Sequence, residues 1–107
     1  MFKENIPASI REFIQKDDTL TDPNTCRDSV LKIKKYIEEN FPIAETILLA
    51  YPDTKTGENV HYSLLARLDK SELVINTVKA PGFPFYIGDL DHAIPTFLAM
   101  KKVPNVI

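Results

Sequence analysis

Val60-His61-Tyr62-Ser63-Leu64-Leu65-Ala66-Arg67-Leu68, then Asp69-Lys70-Ser71, then Glu72-Leu73-Val74-Ile75-Asn76-Thr77-Val78, is the stretch on which the fold turns. Two runs rich in leucine, β-branched and aromatic residues flank three polar turn formers, which predicts a β-hairpin. With no Asn-Gly pair, the turn type stays open. Side chains alternate along a strand, so His61, Ser63 and Leu65 share one face and Val60, Tyr62, Leu64 and Ala66 the other.

Upstream, Thr46-Ile47-Leu48-Leu49-Ala50-Tyr51 is short, apolar and partly β-branched, as suits a buried strand, and Pro52 to Asn59 is a polar loop. Before Pro42, the residues Val30, Ile33 and Ile37, with Leu31 and Tyr36, recur at helical spacing from Cys26 to Asn40. Arg27, Lys32, Lys34, Lys35, Glu38 and Glu39 fall largely elsewhere, so this is an amphipathic helix. Asp17 to Thr25 gathers turn and cap formers around Pro23, and Pro7 to Lys16 carries Ile10, Phe13 and Ile14 at the spacing of a first, shorter helix. Downstream, Ala80-Pro81-Gly82-Phe83-Pro84-Phe85-Tyr86 reads as irregular chain or an edge strand. A last helix is expected from about Asp89 to Met100, capped by Asp89 or Asp91, with Pro95 demanding a kink or a later start. The order α, α, β, β, β, α predicts an α+β domain, its helices packed on a small antiparallel sheet.

Composition agrees with a single domain over residues 1–107. The chain is 44% hydrophobic and 26% charged, enough to bury a core without staples. Thirteen Lys and Arg against fifteen Asp and Glu, interspersed, leave no basic stripe for a phosphate backbone, so nucleic acid is not an expected partner. No apolar run approaches the roughly 20 residues of a membrane span, and Met1-Phe2-Lys3-Glu4-Asn5 lacks the apolar stretch of a secretory signal. A cytoplasmic location and no membrane partner are therefore expected. One cysteine forms no internal disulfide, and two histidines form no cluster at zinc-ligand spacing, so neither metal nor cofactor is expected.

Cys26 opens the strongest helix, where free N–H groups and the positive end of the macrodipole favour a thiolate and can hold an oxyanion. The spacing Thr25-x-x-Asp28 suits a capping box at the same place. The plainer reading of a lone cysteine is a small buried apolar residue. His61 opens the second strand, where it is either a base on a rigid support or a surface histidine at a strand entrance. Asn76 sits among β-branched residues near the end of the next strand, where asparagine is depleted, and is either an orienter for an imidazole or a strand-end turn former. Pairing His61 with Asn76 centres the turn between Leu68 and Asp69 and puts both side chains on one face. A shift of one residue would separate them, and the sequence leaves the register open. His92 reads as a surface residue of the last helix, and Phe83, Phe85 and Tyr86 as core filling.

With Asn24-Thr25-Cys26 opening a helix, His61-Tyr62 opening a strand, and Val74-Ile75-Asn76-Thr77 running into Pro81-Gly82 and then Ile87-Gly88-Asp89-Leu90, the chain resembles the papain-like cysteine enzymes. Among them it is most similar to the small papain-fold toxin domains of bacterial polymorphic toxin systems. The resemblance spans roughly Asn24 to Leu90 and implies a papain-like fold. It also implies Cys26 as nucleophile, His61 as general base and acid, and Asn76 as orienter, where family members often carry Asp. Papain-like peptidases commonly place a Gln before the cysteine as an oxyanion donor, and Asn24 is the nearest substitute here. The implied function is a thiol-dependent hydrolase or acyl-transfer enzyme acting on an amide of a protein or peptide: a peptidase, isopeptidase or glutamine deamidase, exported where it serves as a toxin. The alternative is a catalytically silent papain-like domain that binds a protein through Pro81 to Tyr86.

Overall fold

The computed structural model describes residues 6–22, 26–68 and 70–103. The proposed capping box at Thr25 and the proposed donor Asn24 lie outside them. Helix α1 covers Ile6–Gln15 and helix α2 covers Cys26–Asn40. Strands β1 (Glu45–Pro52), β2 (Asn59–Arg67), β3 (Glu72–Asn76), β4 (Tyr86–Asp89) and β5 (Lys101–Val103) form one five-stranded sheet in the order β4-β3-β2-β1-β5. Every neighbouring pair is antiparallel. The fold is therefore α+β, as expected. Among the described residues no helix is long and apolar enough to cross a membrane.

Both faces of the sheet are covered, which is why the strands read as nearly continuous apolar runs. On one face Ile6, Ile10, Val30, Ile33 and Ile37 from the two helices meet Leu48, Leu64, Ala66, Leu73 and Ile75. On the other, Leu49, Leu65 and Val74 pack under Phe83, Phe97 and Met100, all from the chain that follows β3. The alternation predicted for β2 is thus realised: Leu65 belongs to one layer, Leu64 and Ala66 to the opposite one.

Several details add to or depart from expectation. The loop after α1 contains a 3₁₀ helix, Asp18–Thr21, whose entry is capped by the Asp17 side chain accepting from the Thr19 N–H. Of the two outcomes expected at Pro95 the later start is realised, and the last helix is the short α3, Pro95–Leu98. Proline lacks the N–H of a helix interior but fits the first helical turn, so Pro95 starts this helix instead of kinking a longer one. Leu90–His92 is a separate 3₁₀ helix preceded by Asp89, whose side chain makes no capping bond. Two short strands, β4 and β5, occupy the sheet edges that the sequence pattern left unassigned.

The hairpin register, which the sequence left open, is fixed by the ladder. Arg67 faces Glu72 and Leu64 faces Ile75, and the turn is closed by the Leu68 N–H donating to the Ser71 carbonyl at 2.8 Å. The turn is therefore centred midway between Leu68 and Ser71, one position later than a pairing of His61 with Asn76 requires. Continuing the ladder puts Ser63, not His61, opposite Asn76. The displacement is two residues, an even number, so His61 and Asn76 keep the same face and become diagonal neighbours. Strand β3 also ends at Asn76, before the expected Val78, and the Thr77 hydroxyl that follows donates to the Leu20 carbonyl at 2.8 Å.

Candidate active site

Strand β2 begins at Asn59, so its first residues run past the end of its pairing with β3. The N-terminus of α2 comes to this step. Cys26 Sγ lies 3.8 Å from His61 Nδ1 and 3.6 Å from the Tyr62 carbonyl oxygen, so the thiol hydrogen has two acceptors within reach. On the far side of the ring, His61 Nε2 is 2.8 Å from Asn76 Oδ1. Residues 26, 61 and 76, brought from a helix and two strands, thus form one connected line. The bland reading of His61 as a surface residue is displaced, since it is only 2% exposed, and Cys26 is half-buried.

The orientation of the Asn76 amide fixes the chemistry of the ring. Its Nδ2 faces two carbonyl oxygens, those of Phe83 at 3.3 Å and Pro84 at 2.8 Å. Carbonyls only accept, so the amide nitrogen must donate there and Oδ1 must point the other way. Facing an acceptor, His61 Nε2 carries the hydrogen, which leaves Nδ1 unprotonated and aimed at the sulfur. That is the tautomer a base for Cys26 needs.

The two carbonyls are delivered by a tight turn. Pro81 and Gly82 occupy the central positions of Ala80-Pro81-Gly82-Phe83, closed by the Phe83 N–H bond to the Ala80 carbonyl at 2.8 Å, with Gly82 at φ 83°. Proline presets the first central dihedral and glycine tolerates the positive second one, a type II arrangement. The same turn lays the Phe83 ring on the imidazole, centroids 4.6 Å apart and planes 27° from parallel. Tyr51, opposite His61 in the ladder, meets Phe83 edge-on at 4.9 Å. Phe83 therefore fills the core, as expected, and also walls the imidazole.

Burial sets the resting charge state. It pushes the Cys26 thiol up, and it pushes the His61 imidazole down, the Asn76 hydrogen bond restoring part of the latter. Both shifts favour the uncharged forms, the thiol and the neutral imidazole.

Ser63 was not singled out from the sequence, although alternation put it on the face of His61. Its hydroxyl is wholly buried and donates to Asn76 Oδ1 at 2.7 Å. Nor were the Phe83 and Pro84 carbonyls, for which the Pro-Gly pair was the available sign. His92 is exposed, as expected, with Nδ1 3.7 Å from an Asp89 carboxylate oxygen, and takes no part in the site. Among the described residues no three His, Cys, Asp or Glu side chains gather as metal ligands. No family model, no curated protein and no solved structure matches this chain.

Proposed function

We propose that the chain is a papain-like, thiol-dependent enzyme that hydrolyses or transfers the acyl group of an amide in a protein or peptide, as a peptidase, isopeptidase or glutamine deamidase. The observation that carries this reading is the connected line Cys26 Sγ, His61 Nδ1, His61 Nε2, Asn76 Oδ1, with the amide turned so that Nδ1 is the free base. A neutral histidine tucked beside a thiol by chance has no need of an amide locked in that sense.

In the proposed reaction the thiol proton passes to His61 Nδ1 as sulfur attacks the carbonyl carbon. The developing oxyanion lies at the start of α2, where backbone N–H groups lack helical partners and the macrodipole is positive. The imidazolium, steadied by Asn76, gives its proton to the leaving amine, and the acyl group remains on sulfur as a thioester. Water then attacks the thioester while Nδ1 accepts its proton, and the thiolate leaves and is reprotonated. An amine in place of water gives acyl transfer. Because Phe83 covers the ring, substrate reaches the pair from the sulfur side. The segment Pro81 to Tyr86 turns two of its carbonyls inward onto Asn76, which argues against its serving chiefly as a protein-binding surface.

The test is Cys26→Ala. The variant should fold as the parent does, lose all labelling by iodoacetamide, and lose turnover of any peptide amide or glutamine side chain that the parent converts. Turnover that persists in Cys26→Ala defeats the assignment.

A further inference from the structure

We infer that Ser63 is a positioning residue of this site, tying Asn76 to the strand that carries His61 and so holding the imidazole in its Nε2–H form; the inference rests on the proposed thiol chemistry. The backbone ladder between β2 and β3 ends at Leu64 and Ile75. Asn76 is the next residue of β3, and toward β2 it is held by its side chain. The Ser63 hydroxyl supplies that hold, at 2.7 Å, at a position of the antiparallel ladder where the facing residues exchange no backbone bond.

His61 and Asn76 are diagonal in this register, so their alignment depends on what fixes Asn76 laterally. The amide has two hydrogens and two acceptor directions. The hydrogens go to Phe83 and Pro84, in a turn outside the sheet, and the acceptor directions go to His61 Nε2 and Ser63 Oγ. Ser63 alone among these four partners lies in the same strand as His61, two residues away and on the same face. It therefore couples the position of the amide oxygen to that of the ring. Ser63 and Asn76 are both wholly buried, so no water replaces the hydroxyl without a rearrangement. Without it the amide is held only by the Phe83 and Pro84 carbonyls and can swing about them out of the ring plane, so the imidazole hydrogen is less strictly confined to Nε2.

The experiment compares the parent with Ser63→Ala and Ser63→Thr, using ¹⁵N shifts of the His61 ring and iodoacetamide labelling of Cys26 from about pH 5 to about pH 9. Thermal unfolding checks that each variant is folded. In the parent one ring nitrogen, Nε2, should be protonated. Ser63→Ala should mix in the Nδ1–H form and slow labelling near neutral pH about tenfold. Its rate above the thiol titration should be unchanged, and Ser63→Thr should restore the parent behaviour. Unchanged ring shifts in a folded Ser63→Ala overturn the inference, as does a loss of labelling equal at every pH. Should Ser63→Ala not fold, a parent ring protonated at Nδ1 overturns it by itself. A parent whose Cys26 labels only through simple thiol ionisation counts against the proposed chemistry, while the ring shifts still decide the role of Ser63.

Discussion

His61 and Asn76 are hydrogen-bonded at 2.8 Å although they are fifteen residues apart and are not opposite one another in the hairpin. The bond runs diagonally across the ladder, from a ring on β2 to an amide that two loop carbonyls hold from behind. Its direction, N–H to carbonyl, determines what Cys26 meets.

The raised thiol and lowered imidazole titrations predict a two-step pH profile for labelling of Cys26. Thiol with imidazole, and thiolate with imidazolium, hold the same number of protons, so their ratio does not vary with pH. The rate of reaction with iodoacetamide should rise as the lowered His61 titration is passed, level off through neutrality, and rise again above the raised thiol titration. His61→Ala should remove the plateau and leave only the upper step. A single step in the parent, superimposable on that of His61→Ala, would show that the imidazole does nothing for the sulfur.

Stability should respond to the same two groups with opposite signs. His61 is lowered by burial, so below its unfolded value of about 6.5 the unfolded chain binds more protons and stability falls with falling pH. Cys26 is raised by burial, so above its unfolded value of about 8.5 the unfolded chain releases its proton more readily and stability falls with rising pH. Thermal midpoints of Cys26→Ala and His61→Ala, compared with the parent, should each flatten one limb of the curve. A parent curve unaltered by both substitutions would place the dependence elsewhere.

Asn76→Asp should be a damaging exchange in this chain. A carboxylate would set an oxygen against the Phe83 and Pro84 carbonyls, where the amide now donates two hydrogen bonds. Leaving buried polar groups unsatisfied costs about 1–3 kcal/mol. The new carboxyl group gains by keeping its proton, so the loss should be smallest below about pH 4 and grow as the pH rises. Equal or greater stability of Asn76→Asp at neutral pH, measured by denaturant unfolding, would refute this account of the cradle.

Gly82→Ala should weaken both the fold and the site. Gly82 is at φ 83°, where a Cβ costs about 1–2 kcal/mol although nothing lies within 4 Å of the place it would occupy. The cost is therefore backbone strain, and its relief would displace the carbonyls that hold Asn76. Labelling of Cys26 near neutrality should slow along with the drop in unfolding free energy. Full labelling rate in a destabilised Gly82→Ala would separate the turn from the site.

Much of this architecture was legible beforehand because it rests on periodicity. Helix α2 runs from Cys26 to Asn40 as its apolar spacing requires, and β2 alternates as its side chains do. The line from Cys26 through His61 to Asn76 was legible for the same reason, since residue type, helix start and strand face are local properties. What was hidden is set by pairing. The turn between Leu68 and Ser71 carries no strong type signal, so the sequence left the register open and the partner facing Asn76 went unseen. Strands β4 and β5 have four and three residues, too few for alternation to show, and their pairing is decided by the neighbouring edges. The shortened last helix reflects one residue, Pro95, whose effect on the starting point outweighed the apolar spacing around it.

Phe83 is packed against Phe97 in the second apolar layer and lies flat on His61. Loosening that layer, by heat, by denaturant or by trimming Phe97, therefore uncovers the ring at the same moment. The sulfur's reactivity then serves as an internal gauge of how tightly this half of the molecule is shut, and any pressure on that reactivity would also act on hydrocarbon packing.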